Sequence, residues 1–227
     1  MNVSILVDLR SQFGPVRDQG ARPTCLAFAA SDAHAALRGS RDALSCEYAF
    51  YHAQKRTGRS PEQGAFLTDM LASLRDTGQP VESGWPYLKK LPTDMATYHP
   101  PHPVGRVFAR NGDQARKDVD RICAELNDGQ PAIVLSVLTR SFFRPQPTGL
   151  IDNIQNDEVF PVPRHAVVAV GHGLIEQQRA VLIRKSWGPS WGLQGYGWLT
   201  ENYLKRHMYD LAVLMEDLHV SDNSAAA

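Results

Sequence analysis

The chain has 227 residues, enough for one large domain or two small ones that share a cleft. Hydrophobic residues make up 43% and charged residues 21%, and 24 basic side chains balance 24 acidic ones. With no long basic run and no apolar stretch near the ~18 residues of a membrane span, neither nucleic acid nor a membrane is expected as a partner. The N-terminus lacks the basic-then-apolar pattern of a signal peptide. The expected location is the cytoplasm, or outside the cell by a route without cleavage. Three cysteines, Cys25, Cys46 and Cys123, are an odd and sparse set, which argues against a disulfide framework and leaves at least one free thiol.

In chain order, residues 1–24 read as extended and turn-rich, with two glycines and two prolines in "FGPVRDQGARPT". A helix is predicted from Cys25 to a stop at Gly39, with Thr24 as its N-cap. Its alanine-rich, largely apolar sequence predicts burial between other elements. Further helices are predicted over 46–57, capped by Ser45, over 65–77, ended by Gly78, and over 113–128, ended by Gly129. The proline-rich stretch 79–112 reads as an irregular connection. From Pro131 onward, short Val/Ile/Leu-rich runs such as "AIVLSVL", "HAVVAVG" and "AVLIRKS" predict strands. The fold class expected is therefore α+β: a helical lobe over 1–110, a β-rich lobe over 111–220 and a disordered tail over 221–227, with a groove where the lobes meet.

Cys25 falls in the first turn of its helix, where free N–H groups and the helix dipole favour a thiolate. A nearby imidazolium adds to this, and together they are expected to bring a thiol down to roughly 3.5–7.5. His165, at the edge of an apolar strand, is the candidate imidazole. Gln19, six residues before the cysteine, is placed to donate a side-chain N–H to an oxyanion, and the Cys25 backbone N–H is a second donor.

These residues resemble the papain-like cysteine peptidases, the family of papain and the cathepsins. There a Gln-Gly pair lies six and five residues before the nucleophile, and Ala-Phe begins two residues after it. Here these are Gln19, Gly20, Cys25, Ala27 and Phe28. "HAVVAVGHG" is similar to the family's histidine strand, and "IRKSWGPSWGLQGYGWL" to its Asn-Ser-Trp-Gly segment. "LSCEYAFYHA" and "GWPY" match a second helix and a Tyr-Pro-Tyr-like turn. His165 follows Cys25 by 140 residues, within the family's interval of about 130–150. The resemblance implies a two-lobed papain-like fold, its C-terminal lobe an antiparallel barrel-like sheet, with the active site in the cleft. It implies peptide hydrolysis through a Cys25 thioester, His165 as acid and base, Gln19 in the oxyanion hole and Trp187 sheltering the histidine. Gly64, Ala65 and Phe66 would bind an extended peptide, and Phe66, Leu135 and Ala166 would favour an apolar side chain. No cofactor and no metal are expected, since His99 and His102 are separated by prolines with no cysteine near. The expected partners are a peptide or protein substrate and a proteinaceous inhibitor, with the chain a monomer.

Several departures matter. The family's asparagine, which accepts a hydrogen bond from the imidazole, falls at Lys185. An ammonium has three donors and no acceptor, so on ordinary ionisation Lys185 reads as a charge exposed at a strand end. Lys185 and Arg164 together are expected to lower the basicity of His165. Lys185→Asn is then expected to raise turnover, and a carboxylate or amide of "LIDNIQNDE", 150–158, to take over as acceptor. Leu26 replaces the tryptophan that usually follows the nucleophile. Arg22 stands where a disulfide cysteine is common. No inhibitory pro-segment is expected ahead of residue 18. Two other readings stay open: a non-catalytic module that binds peptide in its groove, and a Cys–His acyltransferase that delivers the acyl group to an amine.

Overall fold

The computed structural model describes residues 3–218; the tail expected to be disordered, 221–227, lies outside the described residues. Six helices and nine strands follow in the order β1 (Val3–Asp8), α1 (Cys25–Leu37), α2 (Cys46–Thr57), α3 (Leu67–Asp76), β2 (Gln79–Pro80), β3 (Val107–Gln114), α4 (Val119–Asn127), β4 (Ala132–Thr139), α5 (Arg140–Phe143), β5 (Leu150–Ile151), β6 (Val159–Ile175), β7 (Gln178–Arg184), β8 (Tyr196–Thr200), α6 (Glu201–His207) and β9 (Met208–Leu218). None of these helices is long and apolar enough to cross a membrane.

The sheet runs β2-β3-β9-β4-β6-β7-β8-β5, with β1 joined to β6, and every pairing is antiparallel except β5 with β8. It does not close on itself, so "barrel-like" fits loosely, while the class is α+β. β3 runs across residue 110 and β1 pairs with β6, so strands from the N-terminal half contribute to the sheet of the C-terminal half.

Local chemistry explains most helix ends. Ser45 Oγ accepts the Tyr48 N–H at the start of α2, and Gly58 ends it at φ 65°. Gly78, after α3, has φ +68°, and a Cβ there would lie 2.6 Å from the Phe108 carbonyl oxygen. Two expectations need correction. Thr24 makes no side-chain cap; its hydroxyl pairs with Tyr87 Oη at 2.9 Å instead. The fourth helix begins at Val119 rather than 113, capped by Asp118, because residues 107–114 form β3 and pair with β9 about a hundred positions away. Partners so distant override local propensity.

α1 is buried along almost its whole length, with Ala27, Ala30 and Ala33 wholly hidden and Phe28 at its centre. Asp32 on this helix accepts Arg17 Nη2 and Arg184 Nε, each at 2.7 Å. That carboxylate clamps the N-terminal loop and β7 onto α1. Arg22, at the position where a disulfide half is common, makes a two-pronged ion pair with the fully buried Glu47 of α2, at 2.6 and 2.9 Å. Glu47 also accepts Tyr98 Oη and the Leu88 N–H, so four donors surround one carboxylate. The pair ties the loop ahead of Cys25 to α2 without a covalent bond.

Removing one half of such a pair leaves the other charge buried and uncompensated. Glu47→Gln is expected to lower unfolding free energy by about 3–5 kcal/mol, read from the urea midpoint. A midpoint unchanged from the wild type would show that the pair does not hold this loop.

Candidate active site

A cleft of about 840 Å³ separates α1 and its preceding loop from the sheet. Four elements bring residues to it. The loop before α1 contributes Gln19, α1 contributes Cys25, β6 contributes His165 and Ala166, and the turn after β7 contributes Trp187. Gly64, Ala65 and Phe66, next to Pro23 of the loop before α1, and Leu135 of β4, paired with Ala166, also line it, so every catalytic or substrate-binding candidate named from the sequence except Lys185 reaches this one cavity.

The loop that carries Gln19 is stitched to the Trp187 segment. Asp18 and Trp187 form an antiparallel bridge, the Gln19 N–H donates to the Ser186 carbonyl at 2.9 Å, and Gly188 N–H donates to the Arg17 carbonyl. The Gln19 amide is oriented at both ends: Oε1 accepts Ser186 Oγ at 2.6 Å, and Nε2 donates to the Arg22 carbonyl at 2.7 Å. A primary amide has two N–H groups, so one is left for another acceptor.

His165 pairs with Ser136 of β4, and the register breaks just beyond it: the next pair is Leu138 with Phe160. Residues 161–164 bulge between these pairs, and bulges of this kind re-aim neighbouring side chains. The imidazole packs against Trp187, with centroids 5.0 Å apart, and Phe142 of α5, at 6.1 Å. Its Nε2 is buried without a partner among the described residues. The carboxylates of 150–158 are committed elsewhere: Asp152 to Thr200 and the Asn153 N–H, Asp157 to Ser141, and Glu158 to Arg140.

Lys185 is the largest correction. It is 2% exposed, not a surface charge. Its Nζ sits among three aromatic rings, 2.7 Å from the centroid of Trp187, 4.1 Å from Phe142 and 4.6 Å from Trp191. Burial holds its amine well below the ordinary lysine value, opposed by Cys25. Burial, and then the Lys185 charge, hold His165 well below the ordinary histidine value. Arg164 has no part in this shift; its exposed guanidinium stacks on Tyr209, 4.5 Å from that ring's centroid.

Cys25 is half-buried at the edge of the cleft. Burial pushes its thiol up, against backbone N–H groups of Ala166 and Leu26 and the charge of Lys185. This reverses the expectation of a lowered thiol, because desolvation of the anion outweighs what the helix start supplies. Burial thus disfavours the charged form of both Cys25 and His165.

In the segment ahead of α3, the Gly64 carbonyl accepts Arg59 Nε at 3.0 Å, and the Phe66 carbonyl accepts the Met70 N–H of α3. Of the three residues, only Ala65 keeps its carbonyl free of a bond within the described residues. Phe66 is 52% exposed with the Arg59 guanidinium 4.2 Å from its ring centroid. Arg59, Tyr209 and Asp210 also line the cleft. The sequence carries no signal for them, nor for Phe142 in the Lys185 enclosure, because distant chain segments bring them in. Trp191 is visible in "WGPSWG" but reads there only as packing.

The raised thiol has a kinetic consequence. Alkylation of Cys25 by iodoacetamide in the ligand-free protein is expected to keep accelerating above pH 9.0, the ordinary thiol value, and to vanish in Cys25→Ala. A rate already on its plateau at about pH 6 would mean a thiolate at rest and overturn this account.

Comparison with known proteins agrees with this architecture. The family model described as papain family cysteine protease matches residues 4–214. A cysteine protease of Blomia tropicalis is 22% identical over 201 residues, which are 83% of this chain and 58% of that protein. Chymopapain of Carica papaya is 25% identical over 186 residues, 80% of this chain and 50% of that protein. The chain thus spans little more than half the length of these curated relatives. Among solved structures, xylellain, a cysteine protease from Xylella fastidiosa, superposes with a TM-score of 0.73 at 24% identity, covering 94% of this chain and 86% of that one. A Carica candamarcensis cysteine protease superposes at 0.71 with 19% identity, covering 92% and 97%.

Proposed function

The chain belongs to the papain family of cysteine proteases, and from that premise we propose that it is a peptidase that works through a thioester at Cys25. The observation that carries the reading is convergence: Gln19, Cys25, His165 and Trp187, from four separate elements, meet in one cleft open to an extended chain.

Burial pushes both thiol and imidazole toward their neutral forms, so in this reading His165 acts as general base while Sγ attacks the peptide carbonyl carbon. Nδ1 takes the thiol proton as the C–S bond forms. The carbonyl oxygen becomes an oxyanion, and the second Gln19 Nε2–H and the Cys25 backbone N–H donate to it. The C–N bond breaks, and the leaving amine takes the proton from Nδ1. Water then attacks the thioester with His165 again removing a proton, and the acid leaves as Sγ is reprotonated. Trp187 excludes bulk water from the imidazole, with which it is in ring contact.

The substrate is an extended peptide with an apolar side chain. Phe66, Leu135, Leu138 and Ala166 provide an apolar surface, and the unbonded Ala65 carbonyl provides a place for main-chain pairing. The raised thiol and the lysine beside the histidine favour one other reading, a module that binds such peptides without cleaving them.

Turnover of a fluorogenic peptide separates the two. The peptidase reading expects Cys25→Ala and His165→Ala to abolish hydrolysis, and Gln19→Ala to lower kcat by about 10–1000-fold with little change in KM, as loss of an oxyanion donor does. Peptide binding with no Cys25-dependent turnover would establish the binding module instead.

A further inference from the structure

Behind the cleft wall two buried nitrogens lack hydrogen-bond partners. His165 Nε2 and Lys185 Nζ are both hidden from solvent, and neither is bonded among the described residues. They share walls. Trp187 and Phe142 flank the imidazole, and the same two rings, with Trp191, enclose Nζ. Trp191 is itself fixed, its Nε1–H donating to the Phe142 carbonyl at 3.1 Å.

Among the described residues no carboxylate pairs with this lysine. Lys185 takes part in none of the ion pairs among the described residues, whereas the neighbouring Arg184 has Asp32. The ionisable groups around it are few. Cys25 faces it from α1 and His165 from β6. Tyr203 of α6 stacks behind Phe142, its hydroxyl turned to Thr139 and the Val137 carbonyl. His207 lies beyond Tyr203. Asp157 is held by Ser141, and Arg164 points outward on Tyr209.

An ammonium in such a place loses its hydration and gains no acceptor, only the faces of three rings. It would also stand beside the imidazolium that forms each time His165 takes the thiol proton. Two like charges in one dry enclosure cannot both persist, so the pair holds at most one proton. An amine has two N–H groups and one lone pair, and the lone pair is what His165 Nε2–H lacks.

We propose that Lys185 is a positioning residue that works as an unprotonated amine, its Nζ lone pair accepting the hydrogen bond from His165 Nε2–H and holding Nδ1 toward Cys25. The inference rests on the reading of Cys25 and His165 as the reacting pair. Rotation of the flexible lysine stem brings Nζ off the indole face and satisfies both nitrogens with one bond. The direction in which burial moves the Lys185 amine agrees with this. The amine then supplies the acceptor that an asparagine supplies at this position in the family, and burial is the condition for it to do so.

Two measurements test the proposal. In the full chain labelled with nitrogen-15 lysine, the Lys185 Nζ resonance, assigned by its loss in Lys185→Met, is expected at the amine position wherever peptide hydrolysis proceeds. It should move to the ammonium position at the same falling pH at which kcat/KM declines. Kinetically, Lys185→Met is expected to lower kcat about tenfold or more with KM little changed, the pattern of a lost orienting group. Lys185→Asn should recover most of that loss, and Lys185→Arg, which cannot deprotonate, should fall below Lys185→Met. Thermal melts of each variant separate a kinetic loss from a folding defect, and the resonance in the wild type needs no variant to be active. An Nζ resonance at the ammonium position throughout the active range, or Lys185→Met with wild-type kcat, overturns the proposal. Absence of any Cys25-dependent turnover would instead overturn the peptidase reading, while the nitrogen-15 titration still decides the state of the lysine.

Discussion

The burial of α1 against β6 is the constraint on which the site depends. Ten of the thirteen residues of α1 are buried, and most of them are alanines. Small side chains let the helix axis come close to the sheet, where packing leaves little freedom to shift. β6 is 17 residues long, so one strand both backs this helix and carries His165. The position of the thiol relative to the imidazole is therefore a packing property. Asp32 reinforces it by gripping Arg17 and Arg184 at once, and the Arg22–Glu47 pair fixes the loop that delivers Gln19.

The same burial sets the electrostatics. Elsewhere, buried guanidinium groups meet carboxylates: Arg22 meets Glu47, Arg17 and Arg184 share Asp32, and Arg110 meets Asp217. At the reacting wall this compensation stops. Cys25, His165 and Lys185 face one another across aromatic rings with no carboxylate, and each is pushed toward its neutral form. Desolvation is the largest cause for all three, and the mutual attraction of Cys25 and Lys185 opposes it only in part. In the proposed chemistry an imidazole that starts neutral needs an acceptor to hold its orientation, the role proposed for Lys185.

Much of the architecture was legible where the signal is local. Helix α2 shows its Ser45 cap in the sequence and in the structure alike. The strand-forming runs after Pro131 appear as β4, β6, β7 and β8 in the expected order. Legibility failed where a distant partner decides. Residues 113 and 114 read as the opening of a helix, yet β9 pairs with them as strand. Thr24 has the composition of a cap, yet Tyr87 captures its hydroxyl. In the cleft, the residues with a motif around them could be named beforehand, whereas Arg59, Phe142, Tyr209 and Asp210 have none and arrive through the fold.

What the sequence by itself determined is the inventory and its order: a cysteine at the head of a buried helix, a glutamine six residues before it, a histidine at the edge of a strand 140 residues on, and a lysine where an acceptor belongs. Those follow from side-chain chemistry and spacing, which the linear chain carries in full. Only the tertiary structure decided the protonation of that set. A thiol, an imidazole and an amine each have an ordinary value in water, and only folding determines how much water and which charges remain beside them. Here it removed the water from Lys185 and brought no carboxylate of the described residues to replace it, so a residue that reads as a surface cation is enclosed by aromatic rings with its amine pushed toward the neutral form.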